Sequence, residues 1–144
     1  MNAPFVIVSV AGDRVAVAAE RVNSVIEIDK LIPVPRAPHY ILGLTSLRSR
    51  TLTVIDTARA LGLAATAGAE MLALVVEIDG CGYALLVDAV EKVEIGIALP
   101  CQPDVQLAEG WQRAVLGRLE TDSGSLLIVD LDAVVARQPR AEAA

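Results

Sequence analysis

Val15-Ala-Val-Ala-Ala-Glu-Arg-Val-Asn-Ser-Val25 and Tyr83-Ala-Leu-Leu-Val-Asp-Ala-Val-Glu-Lys-Val93 are one pattern written twice, 68 residues apart. Ile41-Leu-Gly43 returns as Val115-Leu-Gly117, and Leu52-Thr-Val-Ile-Asp56 returns as Leu126-Leu-Ile-Val-Asp130, now 74 residues on. The change of offset from 68 to 74 places about six extra residues in the middle loop of the second copy. Gly43 to Leu52 and Gly117 to Leu126 each span nine positions, so the two closing hairpins keep one register.

Working outward, each copy reads as short strands with turn residues between them. In the first, Phe5–Val10 and Val15–Ala18 flank the turn Ala11-Gly-Asp-Arg14. A helical turn or bend at Ala19–Val22 leads to a strand over Ser24–Ile28. The run Ile32-Pro-Val-Pro-Arg-Ala-Pro38 carries three prolines, and proline lacks the N–H a central ladder needs, so it is an extended loop. Strands follow over Ile41–Leu47 and Thr51–Ile55, turned by Arg48-Ser-Arg50. Asp56 is placed to cap a short helix, Thr57–Leu61, that Gly62 stops.

The small-residue stretch 63–70 links the copies. The second begins with Met71–Ile78, and Asp79-Gly80 signals a hairpin into Tyr83–Val87. A strand over Val90–Ile97, a second proline loop from Leu99 to Pro103, and a hairpin turned at Ser123-Gly124 complete it. Asp130 caps a last helix, Leu131–Ala136. The fold expected is all-β with short helices: one domain over 1–144, with subdomains at about 11–62 and 71–136 and an N-terminal strand at 5–10. About 60–70 residues of such strands close into a small barrel, because closure removes exposed edges.

Composition narrows the function classes. The chain has 144 residues, 54% of them hydrophobic but only 3% aromatic, and a net charge of −6. Twelve basic residues scattered among 18 acidic ones form no stripe for a phosphate backbone, so nucleic acid is excluded as the expected partner. No apolar run reaches the 18 or so residues of a membrane helix, and the start lacks a basic n-region. A soluble, cytoplasmic protein is expected. His39 is the single histidine and reads as a surface or packing residue. Cys81 and Cys101 lack metal spacing and read as buried or half-buried thiols. With no glycine-rich phosphate loop and no paired carboxylates beyond the two capping aspartates, neither an enzyme nor a cofactor or metal site is expected.

The combination of Gly12-Asp-Arg-Val-Ala-Val-Ala-Ala-Glu-Arg-Val22, the proline loop at 32–38, and Ile41-Leu-Gly-Leu-Thr-Ser-Leu-Arg-Ser-Arg-Thr-Leu-Thr-Val-Ile-Asp56 resembles the CheW family of chemotaxis adaptors, over roughly Phe5 to Val135. The resemblance implies two five-stranded SH3-like barrels in tandem. It also implies a scaffold that joins chemoreceptor cytoplasmic tips to the regulatory domain of the histidine kinase CheA, in arrays at the inner face of the membrane. By that resemblance the receptor groove would hold Val22, Val25, Gly43, Arg48, Val90 and Val93. The kinase surfaces would lie near Ile28, Leu31 and Val34 on one barrel, and at Leu99 and Val105 on the other.

The residues themselves leave alternatives open. The valines read equally as barrel core, and Gly43 as a barrel corner. The family's Asn-Leu-Arg-Gly motif stands here as Ser46-Leu-Arg-Ser49, and its third-strand glutamate is Ser24. Arg48 therefore loses its expected partner. Glu27, three residues past Ser24, points to the opposite strand face. Arg48 is then either exposed for a partner or rebound to another acid. Competing functions are a divergent paralogue serving another signalling array, and a small-molecule-binding double barrel.

Overall fold

A computed structural model describes residues 2–63, 71–100, 114–122 and 124–136. Among the described residues ten strands run in chain order. They are β1 (Asn2–Val10), β2 (Asp13–Ala18), β3 (Ser24–Glu27), β4 (Ile41–Leu47), β5 (Arg50–Asp56), β6 (Leu72–Ile78), β7 (Cys81–Val87), β8 (Ala89–Leu99), β9 (Val115–Thr121) and β10 (Gly124–Val129). Helices α1 (Thr57–Ala60) and α2 (Leu131–Ala136) follow β5 and β10, and a 3-10 turn spans Ala19–Arg21. The expected all-β class and the repeat of five strands plus a helix both hold.

The turns form for local reasons. Ala11 (φ 53°) with Gly12 (φ 85°), and Asp79 (φ 53°) with Gly80 (φ 80°), make two-residue turns of positive φ, whose twist suits antiparallel strands. Asp56 accepts the Arg59 backbone N–H at 3.4 Å, and Asp130 accepts that of Ala133 at 3.2 Å, so both aspartates cap helices.

The strands are not dealt out as two contiguous halves. One unit is a closed barrel in the order β1-β2-β10-β9-β8, and the other a five-stranded sheet in the order β3-β6-β7-β5-β4. Each takes strands from both copies. The boundaries at about 11–62 and 71–136 therefore mark the sequence repeat and not the two sheets. The exchange is symmetric. β2 runs parallel to β10 through Val15↔Leu127 and Ala16↔Ile128, while their repeat mates β7 and β5 run parallel through Tyr83↔Thr53 and Ala84↔Val54. A hairpin cannot join parallel strands, and each of these pairs takes one strand from each copy, so the copies exchange strands.

Alternation along the strands fills three layers. In β1, Phe5 and Ile7 point into the closed barrel with Ala16, Leu119 and Ile128. Val6, Val8 and Val10 point the other way, into a core shared with Leu74, Val76, Leu85, Val87 and Ile55 of the second sheet. Leu52, Val54, Val75, Ala84 and Leu86 line the inside of that sheet. Both faces of the inner strands are buried, so they read as continuous apolar runs. This accounts for 54% hydrophobic residues with almost no aromatics.

Candidate functional site

The rim of the shared core carries the valines expected at the groove. Val22 and Val90, repeat mates 68 residues apart, are half-buried against that core. Val25 and Val93, the next pair of mates, are exposed, at 43% and 60%. Val25 lies beside Leu74 on β6, and Val93 lies beside Val6 on β1. Leu74 and Val6 are themselves repeat mates and core residues. Each exposed valine thus borders the inter-sheet core at an equivalent place, and strand neighbours point to one face. The reading of all four valines as simple core holds for none of them fully.

Gly43 lies elsewhere. It is buried inside the second sheet, where the backbone of Ile32 crosses over it. A β-carbon on Gly43 would meet the Ile32 carbonyl oxygen at 2.4 Å, and one on its mate Gly117 would meet that of Leu99 at 2.3 Å. The corner reading, not exposure to a partner, accounts for both glycines.

Arg48 and Ser49 form the β4–β5 turn, with φ of 51° and 69°. Arg48 is exposed and, among the described residues, makes no ion pair. Its neighbour Arg50 faces Glu77 at 3.6 Å instead. Glu27 is exposed on the outer side of β3. Of the two fates open to Arg48, exposure is the one found.

The expected kinase-facing residues divide. Ile28 is buried in the second sheet's core and Leu31 is half-buried against it, while Val34 is exposed on the proline loop. That loop turns at Arg36 (φ 64°), with Ala37 N–H donating to the Val34 carbonyl at 3.4 Å. Leu99 is half-buried, beside a hollow it shares with Pro100, Leu116 and Ile128. Val105 lies outside the described residues, as does Cys101. Cys81 is exposed rather than buried, because it opens β7 next to the Asp79-Gly80 turn. It lines a hollow with Tyr83, Asp79 and Asp132. There burial, then the nearby Cys81 and Asp79, push the Tyr83 phenol above its ordinary pKa.

Sequence reasoning missed Ile32, Ile95, Ile97 and Leu116, which are exposed at 62%, 65%, 42% and 65%. Val93, Ile95 and Ile97 alternate along β8 and so share one face. That two-residue period was visible in the sequence and gives β8 an apolar outer face. His39 packs edge-on to Tyr40 at 5.7 Å, and its carbonyl accepts from Arg59 Nη1 at 3.1 Å, so it is a packing residue. Among the described residues no His, Cys, Asp and Glu gather as a metal site, and no helix is long and apolar enough to cross a membrane.

The comparisons with known proteins agree with this architecture. The profile of the CheW-like domain matches residues 4–138. A chemotaxis protein CheW from Rhizobium meliloti is 30% identical over 110 residues, covering 75% of this chain and 71% of that one. Its counterpart from Thermotoga maritima is 24% identical over 136 residues, covering 91% and 87%. The crystal structure of the scaffolding protein TtCheW from Thermoanaerobacter tengcongensis superposes with a TM-score of 0.76 at 25% identity, covering 90% of this chain and 89% of that one. With its doubled repeat, its two five-strand units and a profile match over residues 4–138, this chain belongs to the CheW-like domain family.

Proposed function

We propose that the chain is a non-enzymatic chemotaxis scaffold that couples chemoreceptors to the histidine kinase CheA. Family membership carries the scaffold role. The observation that supports the coupling is the pair of exposed valines, Val25 and Val93, repeated at equivalent places on the rim of the shared core. A receptor tip is a helical hairpin, and its apolar i, i+3, i+4 face needs a trough of this kind. Val22 and Val90 form the floor of that trough. Arg48, without an ion pair among the described residues and held on a tight turn, offers five N–H donors to a partner carboxylate.

The kinase takes the outer ends of the two sheets. Val34 stands on a proline-stiffened loop that loses little entropy on docking, with Ile28 and Leu31 supporting it from below. Leu99, with Val105, serves the other end.

The test is capture by a chemoreceptor cytoplasmic tip and by the CheA regulatory domain, measured separately. Val25→Lys and Val93→Lys each place a charge at an exposed position, so folding is retained. Each weakens receptor capture about tenfold or more while kinase capture is unchanged. Unchanged receptor binding in both folded variants overturns the trough.

A further inference from the structure

The repeat makes the two rims of the shared core alike at Val25 and Val93, which alone leaves a docked helical hairpin two equivalent ways to lie. One step further along the strands the likeness ends. Val93 pairs with Val6 and Ile95 with Pro4, while Val25 pairs with Leu74 and Glu27 with Leu72. Pro4 and Leu72 are repeat mates, 68 residues apart, so Ile95 and Glu27 hold equivalent places. Both are exposed, and alternation puts each on the face of its neighbouring valine. One rim therefore continues as isoleucine and the other as a carboxylate. The strands also differ in length. β3 ends at Glu27, whereas β8 runs on to Leu99 and brings exposed Ile97 onto the same face. β1 leaves the shared core between Val6, which is buried, and Pro4, which is exposed, so this stretch of β8 is left uncovered among the described residues.

We propose that Ile95 and Ile97 set the direction in which the receptor hairpin lies, by extending the trough along β8 and not along β3. This direction rests on the reading that the trough takes a receptor tip, and it gives that partner a chemistry. One helix places apolar residues four apart against β8, and its flank toward Glu27 is basic. Side chains at alternate strand positions stand about 6.8 Å apart, and four residues of helix rise about 6 Å, so a helix laid along β8 meets Val93, Ile95 and Ile97 in turn. An extended segment on this face would bury its own backbone groups unpaired, because a sheet face offers side chains only. A second copy would bring its own net charge of −6 to the contact, where a basic flank gains from Glu27.

The probe is a chemoreceptor cytoplasmic tip hairpin, with capture by the full chain and photo-crosslinking as readouts. Ile95→Thr and Ile97→Thr keep a β-branched residue at exposed strand positions, so folding is retained. Each weakens tip capture about fivefold, and Glu27→Gln weakens it about threefold and lowers its salt dependence. Capture of the CheA regulatory domain is unchanged in all three. With benzoylphenylalanine in place of Ile97, and separately of Glu27, each chain crosslinks the tip at one cluster of positions, and the two clusters differ. Should a threonine variant fold poorly, these crosslinks decide alone. Both probes marking the same positions shows a hairpin lying both ways and overturns the proposal. Unaltered tip capture by both threonine variants, with Val93→Lys still weakening it, overturns the β8 extension and leaves the trough standing. No capture of the tip by the unaltered chain overturns both. Loss of CheA capture, or of concentration-dependent self-association, in the threonine variants assigns the strip to the kinase or to a second copy and overturns the proposal too.

Discussion

Gly43 lies beneath the carbonyl of Ile32, so close that a β-carbon would stand 2.4 Å from that oxygen. Gly117 lies beneath Leu99 in the same way, at 2.3 Å. Both contacts are with backbone, which cannot rotate aside. Gly43→Ala and Gly117→Ala are each expected to destabilise the fold by about 2–3 kcal/mol, as overpacking against rigid atoms does. Gly43 also has a φ of 152°, so its variant is the worse of the two. Urea unfolding measures this. A fully stable Gly43→Ala that loses only partner binding would contradict the structural role.

Ser49 holds φ at 69°, a conformation that costs a non-glycine residue about 1–3 kcal/mol. Glycine removes that strain but gives back part of it as unfolded-chain entropy. Ser49→Gly is therefore expected to raise stability by about 1 kcal/mol, seen as a higher denaturation midpoint at unchanged slope. A lower midpoint would mean that the serine side chain contributes more than its backbone costs.

Thr57 is 4% exposed, and among the described residues its hydroxyl meets no hydrogen-bond partner. It faces a small apolar void lined by Val8, Leu74, Leu85 and Val129. An unsatisfied buried hydroxyl costs about 1–3 kcal/mol, and valine keeps the shape without it. Thr57→Val is expected to stabilise the protein by about 1 kcal/mol in the same unfolding assay. Destabilisation would indicate a bridging water in that void.

The Tyr83 phenol titrates above its ordinary value of 10.0, first because of burial and then because of Cys81 and Asp79. The folded state thus binds the proton more tightly than the unfolded chain does. The resulting stability is fully present below about pH 10 and is lost as pH rises through the folded value. Tyr83→Phe is expected to flatten this alkaline loss. The difference in phenolate absorbance between the two proteins reports the shift directly, and a Tyr83 midpoint at or below the ordinary value contradicts it.

Local chemistry made most elements legible in the sequence. The Asp79-Gly80 turn, the Asp56 and Asp130 caps and the strand Ile41–Leu47 follow from neighbours in the chain. Partnership between distant strands was not legible. Nothing within Val15–Ala18 says that it pairs with Leu127 and Ile128 rather than within its own copy, because every pairing buries the same valines. The site divided along the same line. Val25 and Val93 were singled out through the family resemblance, yet their exposure depends on Leu74 and Val6 filling the space beside them. Gly43 was visible as a special position, but the crossing Ile32 backbone that requires glycine is set by sheet closure. Cys81 was misjudged because its place at the head of β7 outweighs the usual burial of thiols.

The crossed parallel pairs, β2 with β10 and β5 with β7, rule out one way of working. The two halves of the chain cannot serve as separable modules, since each sheet is completed by strands that the other half lends it. Either half on its own is a pair of unfinished sheets rather than one finished lobe.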